Sequence, residues 1–237
     1  NDNVKGVYIE CNGIVGDFAS LTELRKAIAD FKTSKKFVYA YGDNISQGDY
    51  YIASVADSVF INTIGAIELT GLTSLQPYMK SLFDKLGIEM QVIRVGTFKS
   101  AVEPYILNEM SDANRLQQEC YLGSIWSNLV ADIAMSRNLT SADINQYADS
   151  LVSLSQAHQF VEKKLADGLC YRYEMENKLR KLTDVKKDDD LKLATPSEVA
   201  ATAKKEKSSK NKVAVFYAVG EIVDSGEGVD AGELTRN

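Results

Sequence analysis

Short apolar runs alternate with amphipathic stretches along the first third of the chain. Val7, Tyr8 and Ile9 form the first run, which is the length and composition of a buried strand. A loop from Asn12 to Gly16 follows. Ser20 then stands three residues before Glu23, the spacing of a capping box, and Leu21, Leu24, Ile28 and Phe31 recur at helical period. Lys35 and Lys36 carry the charge that the carboxyl end of a helix favours. Phe37 to Tyr41 predicts a second strand, Gly48 to Val55 a second helix, Val59 to Asn62 a third strand and Ile67 to Thr70 a further short one. Strand and helix alternating at roughly 20–30 residues is the pattern of an α/β fold with parallel strands.

Beyond Thr70 the pattern becomes more helical. Leu75 to Leu86 predicts a helix with Gly87 as its stop, and Met90 to Val95 predicts a strand. A long helix follows from Asp112 to Met135, with Leu116, Cys120, Ile125, Leu129 and Ile133 on its apolar stripe. Shorter helices are expected at Thr140–Tyr147 and Ser155–Leu165, with Gly168 as a stop. Residues 181–212 are rich in charge and poor in aromatics, as a solvated linker is. Val213 to Tyr217 then predicts a new strand, and Gly226 to Gly232 a glycine-rich loop. The expected organisation is a domain over 1–180, a charged linker over 181–212, and the opening strand and loop of a second domain over 213–237. The chain begins at Asn1 and enters a strand almost at once, which reads as an excerpt of a longer polypeptide.

Composition narrows the function. The 237 residues are 45% hydrophobic and 25% charged, with a formal net charge of −6. An acidic chain without a clustered basic face does not draw affinity from counterion release, so nucleic acid is not an expected partner. Cys11, Cys120 and Cys170 are far apart and include no CxxC pair, which excludes a zinc ribbon and favours buried free thiols. No run of 18 apolar residues occurs. Several motifs fail on spacing. Lys99-Ser100 lacks the glycines of a phosphate-binding loop, because Phe98 and Ile93 occupy their positions. No Gly-x-Ser-x-Gly elbow is present, and His158, the sole histidine, lies in a helical stretch away from any paired Ser and Asp. Asp224 to Glu233 lacks the carboxylate spacing of a calcium loop.

Two segments carry a family resemblance. Arg94-Val95-Gly96-Thr97-Phe98-Lys99-Ser100-Ala101-Val102-Glu103-Pro104-Tyr105 closely resembles the segment around the catalytic lysine of the signal peptide peptidase A (protease IV) family, in its long two-domain bacterial form. Tyr41 to Ser54 resembles that family's nucleophile region as it stands in the amino-terminal domain. The likeness runs from about Val4 to Gly168 and again from Val213 to Asp230. It implies a crotonase-like, ClpP-like α/β fold of repeated strand–helix units, with additional helices in the second half of the domain. It also implies a Ser/Lys serine protease in which the lysine comes from the first half and the serine from the second, without metal or cofactor.

On that resemblance Lys99 is the expected catalytic residue, a general base. A lysine accepts a proton only when neutral, so its pKa must fall through burial or a neighbouring charge. Apolar Phe98, Ala101 and Val102 are the expected source of burial, with Thr97 or Ser100 orienting the amine. The family's nucleophile segment reads Ala-Ser-Gly-Gly-aromatic. Gln47 stands at the serine position, followed by Gly48, Asp49 and Tyr50, and glutamine carries no nucleophilic oxygen. Ser46 is one residue out of place. Backbone amides of the second half are expected to form the oxyanion hole. The implied partners are peptide substrates (cleaved signal peptides), the carboxy-terminal protease domain and further copies in a homo-oligomer, tetrameric or otherwise. The implied location is the periplasmic face of the bacterial inner membrane, with the anchor outside this chain. Two other readings share the fold: a non-catalytic assembly or peptide-binding domain, in which Lys99 is exposed, and a crotonase-type enzyme acting on acyl-CoA.

Overall fold

The computed structural model describes residues 3–186, 189–202 and 214. The chain divides into two units, Asn1–Lys192 and Leu193–Asn237. The first unit is built on a parallel sheet of four strands, β1 (Gly6–Glu10), β2 (Phe37–Ile45), β3 (Ser58–Ile67) and β4 (Gly168–Leu169), in the order β1-β2-β3-β4. Helices α1 (Phe18–Lys32) and α2 (Gln47–Ala53) connect the first three strands. After β3 come α3 (Lys80–Leu86), α4 (Glu103–Ile106), α5 (Asp112–Arg137), α6 (Ser141–Asp149), a 3-10 turn at Val152–Leu154, and α7 (Ala157–Glu162). Helix α8 (Arg172–Leu182) closes this unit. The described part of the second unit contains α9 (Pro196–Ala201), opened by a Thr195–Glu198 capping box with proline at a first-turn position.

The alternation of side chains along each strand gives the sheet two apolar faces, as a parallel sheet requires. Val7, Ile9, Val38, Ala40, Val59 and Ile61 belong to the larger core, with residues of α1, α2, α5, α6 and α7. Tyr8, Phe37, Tyr39, Tyr41 and Phe60 line the opposite face, where Met175 and Leu179 of α8 cover them. Successive units repeat one device at the strand starts. Asp57, just before β3, accepts the Val38 amide at 2.8 Å and donates its own amide to the Val38 carbonyl. Asp167, just before β4, does the same for Val59, at 2.7 Å each way. Each aspartate also meets a cation from a preceding helix, Lys32 at 3.0 Å and Arg137 at 2.9 Å.

Arg25 ties the helical layer together. Its guanidinium is buried and donates to the Tyr51 carbonyl, to Ser54 and, from the other nitrogen, to the Asp132 carbonyl at 2.8 Å. Buried cations of this kind are tolerated because several acceptors replace the lost water. Desolvation still pulls the Arg25 pKa down, partly offset by the Asp132 charge.

Several sequence expectations require correction. Residues Met90–Val95 form no strand: Ile93 and Val95 are 100% and 85% exposed, and among the described residues no strand pairs with them. Apolar alternation satisfies side chains, but a strand also needs an edge for its amides. The separate short strand expected at Ile67–Thr70 does not form: Ile67 is the last residue of β3, residues 68–70 are in no strand, and β3 is one strand with an irregular register opposite Asp43. There Gly65 approaches so closely that a Cβ would lie 2.1 Å from the Asp43 carbonyl oxygen. Helix α1 starts one turn early, because Asp17 rather than Ser20 caps it: Asp17 accepts the Ser20 amide at 2.9 Å. Helix α3 occupies only the second half of Leu75–Leu86, ending as expected on left-handed Gly87. Cys11 and Cys170 are buried free thiols, but Cys120 is exposed. Helix α8 runs into the stretch read as linker, and Leu191 packs on the α8 face of the core. The strand at Val213–Tyr217 and the loop at Gly226–Gly232 lie outside the described residues.

Candidate active site

The carboxyl ends of parallel strands are where open α/β sheets place their chemistry. In this chain the turn from β2 into α2 lies at such an end and carries Ser46, Gln47 and Asp49. Ser46 is the helix cap: its hydroxyl accepts the Asp49 amide at 3.1 Å and donates to the Asp49 carboxylate at 2.9 Å. Both functions of that hydroxyl are committed, so it is not poised to attack a carbonyl.

Gln47, at the serine position of the resembled pattern, acts as a buckle. Its side-chain oxygen accepts the Thr70 amide at 2.9 Å and the Gly71 amide at 3.0 Å, and its nitrogen donates to the Gly71 carbonyl at 3.0 Å. The left-handed backbone of Gly71, φ +83°, makes this return possible. Thus the position that would hold a nucleophile fastens the loop after β3 to the start of α2.

Asp49 fills the space in front of the turn. The residue is 1% exposed, and its carboxylate accepts the Gly13 amide at 3.1 Å and the Ile14 amide at 2.7 Å from the loop after β1. Adjacent backbone amides aimed at one point can stabilise a developing oxyanion. Here they are already spent on an internal anion. Sequence reasoning gave Asp49 no role, although its signal was present: Ser46-x-x-Asp49 is a cap spacing, and Asp49 stands where the resembled pattern has glycine.

Lys99 lies elsewhere, in an arm between β3 and α5. The arm folds back on itself through the Met79 amide on the Pro104 carbonyl at 2.7 Å, Ser81 on Asn108, and the stacked rings of Phe83 and Tyr105. Lys99 is exposed at the tip of a turn opened by Gly96, whose φ is +102°. Its amide reaches the Gly96 carbonyl at 3.4 Å, and its carbonyl accepts from Arg94 at 3.3 Å. The expected apolar cover is not formed among the described residues: Phe98 is 56% exposed, Ala101 is exposed and Val102 is only half-buried. Lys99 shares no hydrogen bond with Ser46 or Gln47. Among the described residues no hydrogen bond or ion pair joins the lysine segment to the turn from β2 into α2.

The other candidates resolve simply. His158 is an exposed residue of α7. Among the described residues there is no cluster of His, Cys, Asp or Glu able to hold a metal, and no helix is long and apolar enough to cross a membrane. A second residue that sequence reasoning passed over is Glu103, whose carboxylate is buried beside the lysine turn.

The family model described as peptidase family S49 matches residues 30–186. A protein named Protease 4 from Haemophilus influenzae is 32% identical over 236 residues, covering 93% of this chain and 38% of that protein. Protease 4 from Salmonella typhi is 32% identical over 241 residues, covering 95% of this chain and 37% of its own length. A chloroplastic serine protease SPPA from Arabidopsis thaliana is 25% identical over 188 residues, covering 79% of this chain and 28% of that one. The chain spans less than two fifths of each of these relatives.

Proposed function

Because the chain belongs to peptidase family S49, we propose that it is the base-supplying part of a Ser/Lys serine endopeptidase, with Lys99 as the general base and the nucleophilic serine outside this sequence. The parallel sheet and its helices are those of the crotonase-like, ClpP-like fold. The observation that carries the reading is the occupied nucleophile turn. Gln47 buckles a loop and Asp49 fills the pair of amides, so chemistry in this half rests on the lysine segment alone.

In the proposed mechanism a serine from a second half meets neutral Lys99, which takes the hydroxyl proton as the oxygen attacks the peptide carbonyl. The protonated lysine then gives that proton to the leaving amine. Lys99 then deprotonates a water that attacks the acyl-enzyme carbonyl, and returns that proton to the departing serine oxygen. Exposed Ile93, Val95 and Phe98 around the lysine turn are the surface that a second half would cover, and covering them removes the water that keeps an ammonium protonated. The proposed substrates are cleaved signal peptides, in a membrane-anchored and oligomeric protein of the bacterial cell envelope.

A second reading has one observation in its favour: Lys99 is exposed here, as a non-catalytic assembly or peptide-binding domain would have it. A fluorophosphonate probe separates the two. Labelling of the full-length parent protein, lost in Lys99→Ala and absent from this chain alone, is the expected result. Undiminished labelling of Lys99→Ala would remove Lys99 from the mechanism.

A further inference from the structure

We infer that Glu103 is the positioning residue of the lysine turn, the group that fixes Lys99 to the amino end of α5 so that its amine is presented in one place. This deepens the reading of Lys99 as general base and rests on it. Glu103 lies four residues after Lys99, and a turn closed by the Glu103 amide on the Ser100 carbonyl at 3.0 Å joins them. Its side chain is 1% exposed, on an arm whose other long side chains mostly face solvent.

The carboxylate is held from three sides. The Ser111 hydroxyl donates to one oxygen at 2.6 Å, and the Ser111 amide and Asn114 side-chain nitrogen donate to the other at 3.3 and 3.1 Å. Ser111 is the cap of α5, a helix of 26 residues whose inner end is embedded in the main core through Leu129, Val130 and Ile133. An anion at that helix start is favoured by the exposed amides and the helix dipole. On the other side, the Arg94 guanidinium lies 3.7 Å from the same carboxylate and donates to the Lys99 carbonyl at 3.3 Å. Arg94 thus spans the turn and Glu103 anchors it. The linkage runs from the Lys99 backbone through Arg94 and Glu103 to a helix seated in the core.

An isolated flexible turn would present the lysine amine over a wide arc. A general base must meet its proton within hydrogen-bond reach, and misplacement by about 1 Å costs on the order of 100-fold in rate. The buried carboxylate therefore has a catalytic consequence without touching substrate. Asn114 supplies a control built into the structure. Its side-chain oxygen is buried and has no hydrogen-bond partner. In Glu103→Gln, a flip of the Asn114 amide would turn that oxygen toward the new amide nitrogen and the Ser111 hydroxyl bond would persist, while the longer Ser111 amide bond, which shares that carboxylate oxygen with Asn114, would be lost.

The test uses the full-length parent protein with three variants, Glu103→Ala, Glu103→Gln and Lys99→Ala. It measures peptide cleavage, hydrogen exchange over 94–107 and thermal midpoint. Glu103→Ala should lower kcat about 100-fold with KM changed less than about threefold, and should speed exchange in 96–102. Glu103→Gln should recover most of both losses. Unchanged exchange in Glu103→Ala would overturn the anchor itself. Fast local exchange with full kcat would overturn its role in positioning. Equal loss in both Glu103 variants, with a lowered thermal midpoint and faster exchange throughout the domain, would assign Glu103 to general stability instead. Full activity of Lys99→Ala would end the general-base reading while leaving the exchange result to judge the anchor.

Discussion

Replacing Asp49 with alanine tests whether the turn from β2 into α2 is held together by its own anion. The carboxylate accepts three hydrogen bonds, from Gly13, Ile14 and Ser46, at 3.1, 2.7 and 2.9 Å. Bonds to a charged acceptor are each worth about 1.5–3 kcal/mol when the freed donor stays dry. Gly13 is exposed and Ile14 half-buried, so water recovers part of that value once the carboxylate is gone. The expected loss is therefore about 2–4 kcal/mol rather than the sum of three bonds. In a chain of this size that corresponds to a fall of roughly 5–12 °C in thermal midpoint. Asp49→Asn keeps one acceptor oxygen but turns an amide nitrogen toward a second donor, so about half the loss should remain. Urea unfolding followed by circular dichroism and by the fluorescence of Trp126, the single tryptophan, measures both variants. Stability of Asp49→Ala within about 0.5 kcal/mol of the parent would refute the reasoning, because it would mean that water serves those amides as well as the carboxylate does.

Four further outcomes follow from particular contacts. Gln47→Ser should not create fluorophosphonate labelling in this chain, because Asp49 still occupies the Gly13 and Ile14 amides; labelling would show that pair to be open. Gly65→Ala should destabilise by about 3 kcal/mol in urea unfolding, since its Cβ would lie 2.1 Å from the Asp43 carbonyl oxygen; a neutral result would mean that β3 yields there. Burial pushes the Glu103 carboxyl up, but the Ser111 and Asn114 bonds and the Arg94 charge outweigh it and hold its pKa below the ordinary 4.5. With a folded value below the unfolded one, its stabilisation is present above pH 4.5 and lost as pH falls through the folded value; a carbon-13 titration with its midpoint at or above 4.5 would contradict this. A maleimide at pH 7 should modify Cys120 alone in the native chain and all three cysteines in denaturant, since Cys11 and Cys170 are buried and burial pushes the Cys11 thiol up to about 12; rapid native modification of two or three would refute the burial.

The sequence by itself determined the repeated strand–helix architecture, because its signals are local. Val38 and Ala40 alternate with Phe37, Tyr39 and Tyr41, and that alternation names the two apolar faces before any contact is known. Gly87 ends α3 because a left-handed stop needs only the backbone of one residue. The twelve-residue segment around Lys99 and the segment from Tyr41 to Ser54 pointed to the family in the same local way. What happens across the fold was not legible. Met90–Val95 has the apolar content of a strand, yet no strand among the described residues pairs with it, and pairing depends on where distant segments lie. The Ser20–Glu23 spacing predicts a cap, yet the helix is capped by Asp17, whose side chain reaches the amide three residues on. Asp49 and Glu103 carried no assigned role in the sequence. Only the tertiary structure put the first on the amides of Gly13 and Ile14, 35 and more residues away, and buried the second between Arg94 and the start of α5. A carboxylate takes its role from the donors that surround it, and those donors are gathered by the fold.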